Sequence, residues 1–391
     1  MGQVVAAMAT MHAPQLFTRP PEEDPKQLDA GIAAMGKLGK VLDETKPDAL
    51  IIFASDHMET FFLKGVPTFA VIAGDRANAI FAGKTWSPPI HQALAEDILE
   101  QLVRRDFDMT YSQDAELGHS FAAPFEWVLQ GRDIPVVPIF VNTYLPPLPS
   151  PRRAAALGRA IAEIVASRPE RVAVLASGGM SHYPGTANYY TPDYEFDHWC
   201  IRELENGHSE SFLDLTVEQL DEVGNTEMLP WAAVLGAVGT QHMELLSYQE
   251  TAHHGHAVCL FHPGPKTGAE EAAHEFKFKN HPYAFYVHPA VKSYKLNKLL
   301  YDSRAKRELR LRMLQDAGAV GAEYGLPANE IATLKEVCKF PHNNTDKPAL
   351  DAEPLVKLGA HPVGALMAVH VLQAEQRRQQ RANAEQPAMA R

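Results

Sequence analysis

The sequence predicts an α/β fold, with a central sheet flanked by helices on both faces and an all-helical domain after it. Three observations carry that prediction. Short apolar runs recur from residue 3 to about residue 265, helical patterns separate several of them, and beyond residue 290 no strand-like run remains. The runs read as strands are QVVAAMAT, ALIIFAS, TFAVIAG, VVPIFVN, RVAVLAS and HAVCLFH. Their near-continuous apolar character fits a sheet buried on both faces. DPKQLDAGIAAMGKLGKVLDET reads as a helical pattern between two of these runs. PRRAAALGRAIAEIVAS follows the turn PLPS and places apolar residues at helical spacing. Residues 1–270 are expected to form the α/β domain and 271–290, mixed in turn residues and charge, a joint. The helical domain is expected over 291–375, from LNKLLYDSRAKRELRLRMLQDAGAVGAEYG to GAHPVGALMAVHVLQAEQRR. The polar stretch 376–391 is expected to be a disordered tail.

Composition removes several functions. A formal charge of -12 opposes the phosphate contacts that nucleic-acid binding needs. The cysteines Cys200, Cys259 and Cys338 form no CxxC pair, which fits a reducing cytoplasm and excludes a zinc ribbon or thioredoxin-type site. No basic-then-apolar leader opens the chain, and no apolar window reaches the length of a membrane span. The GKT of Gly83–Thr85 lacks the earlier glycine of a phosphate loop, since Asn78 stands there.

Histidine is over-used, with 18 in the chain, and several follow the strand-like runs. His12 follows QVVAAMATM, His57 follows ALIIFASD, and His182 lies in SGGMSHYPG after VAVLA. His119 sits in GHSFAAPFEW and Glu227 in NTEMLPW. The carboxyl ends of strands in an open α/β sheet are where ligands gather. Two neutral imidazoles and a carboxylate suit iron(II) with open positions, and equally zinc with a water. Each residue alone is also accounted for as a strand cap, a satisfied buried imidazole or a helix-start charge. Spacing does not choose among these readings.

In order along the chain, MHAP, ASDHMETFF, GHSFAAPFEWVL, VPIFVNTYLPPLP, SGGMSHYPG and TEMLPW resemble the type II extradiol aromatic-ring dioxygenases, the protocatechuate 4,5-dioxygenase superfamily. The C-terminal helical stretch, with GAHPVGAL, is similar to the small α subunit of protocatechuate 4,5-dioxygenase, here fused behind the catalytic part as in gallate dioxygenase. The resemblance implies Fe(II) held by His12, His57 and Glu227, with His182 as catalytic base and His119 as a second acid/base group. It implies a small aromatic substrate, dioxygen, a semialdehyde-type product and a homodimer. Asp56 is a candidate for orienting an imidazole or simply a strand-end turn residue. Ser181 and Tyr183 are candidates for substrate contact.

One departure bears on the substrate. A Ser-Asn pair near the last strand holds the ring carboxylate in protocatechuate enzymes, whereas Ala252-His253 stands here. His253, with His254 and His256, would then meet a different polar group or form a solvated loop. A nitrogen heterocycle such as 3-hydroxy-4-pyridone is the alternative substrate, and a zinc hydrolase or a non-catalytic metal protein the alternative classes. In the helical part Asn297, Tyr301, Phe340, His342 and His361 are candidates for substrate contact.

Overall fold

A computed structural model describes residues 2–239, 241–266, 272–280, 286–339 and 348–385. Ten strands occur in chain order: β1 Gln3–Thr10, β2 Ala49–Ala54, β3 Phe69–Ile72, β4 Ala79–Phe81, β5 Lys84–Trp86, β6 Met109–Ser112, β7 Val136–Val141, β8 Arg171–Ser177, β9 Gln241–Glu250 and β10 Gly255–Pro263. Eight of them form one sheet in the order β6-β3-β7-β2-β8-β1-β10-β9. Its centre, β7-β2-β8-β1, is parallel throughout. β10 joins β1 antiparallel and β9 closes that edge, also antiparallel. On the other side β3 runs antiparallel to β7 and parallel to β6.

Every residue of β2 and β7 is buried, as expected of parallel strands covered on both faces. The helix Pro25–Thr45 packs on β1, β9 and β10, and the helices Pro151–Ala166 and Leu229–Val238 pack on each other and on β1. This second pair meets backbone to backbone. A Cβ on Gly158 would lie 1.7 Å from the Ala233 carbonyl oxygen, and one on Gly236 would lie 1.9 Å from that of Ala155. In β1 the pairing with β8 slips between Val4 and Ala6, so Val5 is an extra residue bulged out of the ladder.

All six apolar runs are strands. The strands missed in the sequence are the short ones and β9, whose QHMELLSYQE mixes polar and apolar residues at an edge. Gly83 is the second residue of the two-residue turn joining β4 to β5, at φ +80 after Ala82 at φ 49. GKT is thus a hairpin turn, of the type that needs positive φ at both central residues.

The chain divides into two compact units. One comprises Met1–Phe61, Gly65–His182 and Tyr190–Phe285; the other comprises Tyr286–Arg391 with the short segments Phe62–Lys64 and Tyr183–Tyr189. The second unit is helical, around Leu296, Leu300, Met313, Leu334, Leu355 and Leu372. Within it Asp316 leaves helical geometry at φ -150 and ψ 84, and its carboxylate caps the Ala319 N–H at 3.0 Å. The final helix runs Pro362–Glu385, past the point where a disordered tail was expected at residue 376. The reason is propensity: Gln, Arg, Ala and Glu are strong helix formers, and no Gly or Pro interrupts them before Pro387. Phe340 and His342 lie outside the described residues. No described helix is long and apolar enough to cross a membrane.

Candidate active site

The carboxyl ends of the four central strands lie side by side, and each delivers a polar residue. His12 follows β1, Ser55 and His57 follow β2, Tyr144 follows β7, and the SGGMSH loop with His182 follows β8. Glu227 enters from the short 3-10 turn Thr226–Met228, ahead of the helix Leu229–Val238. The two glycines of the loop are there because other groups come close. A Cβ on Gly178 would lie 2.2 Å from the Glu227 carbonyl oxygen, and one on Gly179 would lie 1.7 Å from His254 Nε2.

These residues converge on the Glu227 carboxylate. Oε1 lies 2.6 Å from His57 Nε2 and 3.0 Å from His12 Nε2, and it accepts from Ser55 Oγ at 3.0 Å and Tyr144 OH at 2.9 Å. Oε2 accepts the Gly179 N–H at 2.8 Å and lies 3.6 Å from His182 Nε2. Among the described residues all ion-pair partners of Glu227 are histidines, and the carboxylate is fully buried. Burial pushes its pKa up, but the imidazoles of His12, His182 and His57 outweigh that and hold it well below the ordinary range. Burial and the neighbouring His119 ring push His57 down to about 4, and burial also lowers His182. Both rings are therefore neutral near pH 7.

Hydrogen bonding sets which ring nitrogen is bare. Ser177 Oγ donates to the Ser120 carbonyl at 2.6 Å, so it accepts from His12 Nδ1 at 3.0 Å and leaves His12 Nε2 as a lone pair. His182 Nδ1 donates to the Met180 carbonyl at 2.8 Å, which leaves its Nε2 facing Tyr144 OH at 2.9 Å. His119 Nδ1 donates to Glu59 Oε2 at 2.8 Å, and its Nε2 is buried without a partner. The rings of His12, His57 and His119 lie 4.2–5.4 Å apart.

With Nδ1 turned to Ser177, His12 directs Nε2 at Glu227 Oε1 across 3.0 Å, and His57 Nε2 lies 2.6 Å from the same oxygen. Two imidazole nitrogens converging on a buried carboxylate make a donor set that fits a metal ion. Two groups have mutual ligand distances within 4.8 Å: His12, His57 and His119, and His182, Glu227 and His254. Glu227 Oε1 links them, because it also meets His57 Nε2 at 2.6 Å and His12 Nε2 at 3.0 Å.

The other expected residues fall differently. Asp56 accepts the backbone N–H groups of Glu59, Thr60 and Phe61, each at 2.9 Å, so turn formation accounts for its carboxylate. Ser181 Oγ donates to the Val223 carbonyl at 2.8 Å and accepts from Asp193 N. Tyr183 is buried and belongs to the helical unit. His253 Nδ1 pairs with the buried Glu23 at 2.7 Å. His254 stacks on His182 with ring centroids 3.8 Å apart, and His256 is buried with neither ring nitrogen bonded. Asn297 holds the helical unit together, binding the Ser293 and Gly359 carbonyls. Tyr301 stacks on Phe62 in the same unit at 4.7 Å. His361 is buried there, 6.2 Å from the Tyr286 ring.

Sequence reasoning missed Tyr144 and Glu59. Tyr144 had a signal, a phenol directly after a buried strand. Glu59, two residues beyond His57 in a loop, had none.

Residues 6–261 match the family model described as the catalytic LigB subunit of aromatic ring-opening dioxygenase. The chain is 32% identical over 164 residues to a protein of Klebsiella pneumoniae named 2,3-dihydroxyphenylpropionate/2,3-dihydroxicinnamic acid 1,2-dioxygenase, covering 41% of this chain and 52% of that one. A protein of Photorhabdus laumondii with the same name is 33% identical over 184 residues, covering 46% and 56%. The chain thus spans about half the length of these curated relatives. The matched region takes in the strand ends that carry His12, His57 and His182 and the turn that carries Glu227, and the chain belongs to the family of catalytic LigB subunits of aromatic ring-opening dioxygenases.

Proposed function

We propose that this protein is an iron(II)-dependent extradiol dioxygenase that opens a catecholic or vicinal hydroxy/oxo aromatic ring with both atoms of dioxygen. The observation that carries the reading is the meeting of His12 Nε2, His57 Nε2 and Glu227 Oε1 beside the bare Nε2 of His182. Family membership supports the reaction class. Iron bound to those three atoms would bring the two ring oxygens and dioxygen together, acidify the ring hydroxyls and carry electrons from ring to oxygen.

The chain's own groups do the rest. His182, neutral and stacked on His254, takes the proton of a ring hydroxyl at Nε2. Tyr144 OH donates to Glu227 Oε1 and lies 2.9 Å from that nitrogen, so it stands between the base and the carboxylate. His119, with Nδ1 tied to Glu59, presents Nε2 as the second proton-transfer group during ring opening. His12, His119 and Glu227 are buried, which shields them from bulk water.

A second reading concerns the ring. The histidines His254 and His256 have unbonded ring nitrogens, and burial keeps both neutral. Neutral imidazoles favour a ring N–H, oxo or hydroxyl group over a carboxylate, which supports a pyridine-type substrate such as 3-hydroxy-4-pyridone.

The test is oxygen uptake by protein loaded anaerobically with iron(II), against protocatechuate, gallate, 2,3-dihydroxyphenylpropionate, catechol and 3-hydroxy-4-pyridone. Uptake matched by a new ring-opened chromophore with one of them supports the reading and selects the ring. Activity that needs zinc and persists without oxygen would sink it.

A further inference from the structure

Asp197 is a fully buried carboxylate in the first turn of the helix Tyr194–Glu205, and the reaction described above makes no use of it. No lysine or arginine accompanies it among the described residues; its partners are three uncharged donors from three separate segments. The Ser181 N–H reaches both oxygens, at 2.9 and 3.2 Å. Asn225 Nδ2 donates to Oδ1 at 3.1 Å, and Tyr248 OH, from β9, donates to Oδ2 at 2.8 Å. A fourth segment is shaped around it, because a Cβ on Gly255 would lie 1.9 Å from Oδ2. Burial without a cation drives this carboxyl up to about 7, so keeping a carboxylic side chain here is costly to the fold.

Two of the three donors stand next to groups that react. Ser181 precedes His182, and Asn225 lies two residues before Glu227. The same two loops are laced together by further bonds: the His182 N–H donates to the Gly224 carbonyl at 3.0 Å, and Ser181 Oγ to that of Val223 at 2.8 Å. The gap they define is the 3.6 Å between His182 Nε2 and Glu227 Oε2.

We propose that Asp197 is a positioning residue for the ring-opening reaction, holding the proton-accepting His182, through Ser181, at a fixed distance from Glu227, through Asn225. The proposal rests on the ring-opening assignment only for the role given to His182; the coupling of the two loops stands on the hydrogen bonds. A carboxylate suits the position better than an amide, since the Ser181 N–H spans both oxygens and an Asn leaves one acceptor, its N–H₂ finding a partner only if the Tyr248 hydroxyl turns to accept.

Two measurements on Asp197→Asn test it. Steady-state kinetics at saturating iron should show kcat lower by roughly 10- to 100-fold, as a displacement of about an ångström at a reacting group produces, with KM little changed. Competition with a chelator, which needs no turnover, should show weaker iron binding because Glu227 is no longer braced. Tyr248→Phe removes one donor but leaves the Ser181 and Asn225 bonds, and should lower kcat and iron affinity less than Asp197→Asn does. A folded Asp197→Asn with wild-type kcat and iron affinity would overturn the proposal. So would a variant changed only in Tm, which would make Asp197 a purely structural post. Should Asp197→Asn fail to fold, Asn225→Ala carries the test: weakened iron binding supports the coupling, and unchanged binding overturns it. A wild-type protein silent toward every ring would defeat the ring-opening assignment, while the chelator competition would still read the effect of Asp197.

Discussion

At the scale of single residues, the site is organised by which nitrogen of each imidazole is left bare. Ser177, Met180 and Glu59 each take one ring N–H, and the opposite nitrogens of His12, His182 and His119 face inward. The proposed function gives Glu227 and His182 separable roles. Glu227→Ala should stay folded and lose bound iron together with activity, read by metal analysis of the purified protein and oxygen uptake. An active Glu227→Ala would remove it from the site. His182→Phe should retain the metal but turn over about 10²- to 10⁴-fold more slowly, the usual worth of a positioned acid or base. Loss of iron in that variant would make His182 a ligand instead. His12, His57 and His182 were legible because each follows an apolar run, and His119 and Glu227 through the motifs GHSFAAPFEW and TEMLPW. Glu59 and Asp197 were not. Their work is hydrogen bonding to residues 60 and 16 positions away, and nothing local in the sequence marks it.

At the scale of elements, the parallel centre of the sheet was legible because burial on both faces writes itself as continuous apolar runs. The edge was not, since β9 needs polar residues where it meets water. The helices leave a different trace. Gly158 and Gly36 both lie inside helices, yet only the first is demanded by packing. A Cβ on Gly158 would strike the Ala233 carbonyl oxygen, whereas one on Gly36 finds its nearest neighbour, Gln130 Nε2, at 3.8 Å. The same substitution should thus have opposite signs. Gly158→Ala is expected to destabilise by roughly 1–3 kcal/mol through overpacking. Gly36→Ala is expected to stabilise by roughly 0.4–1 kcal/mol, through lost freedom in the unfolded chain. Urea midpoints at constant m-value decide; equal effects at the two positions would contradict the close crossing.

At the scale of the whole molecule, folding gathers the two imidazoles of His12 and His57 and the Glu227 carboxylate, which no unfolded chain would hold together. A metal that binds only this assembled set stabilises the native state by mass action. At free iron(II) about 100-fold above the dissociation constant the gain is about 2.7 kcal/mol. Thermal unfolding under anaerobic conditions should accordingly move to higher temperature with added iron(II) and return with chelator. A transition unmoved by iron(II) would count against the His12, His57 and Glu227 set. The α/β and helical halves were both visible in the sequence as a change of pattern. The end of the last helix was not, because Gln- and Arg-rich sequence reads equally as a solvated helix and as a tail.

The bulge at Val5 has a consequence for how this chain tolerates insertions and deletions. From Ala6 to Thr10, β1 runs in register with Ala173 to Ser177, and His12 stands two residues beyond the last pair. Dropping Val5 would let Gly2–Val4 slide by one residue while leaving that register, and the reach of His12, unaltered. Dropping Met11 would pull His12 back along the strand and swing its ring away from Glu227. Working versions of this protein are therefore expected to vary in length ahead of Ala6 and to keep a constant length from Ala6 to His12.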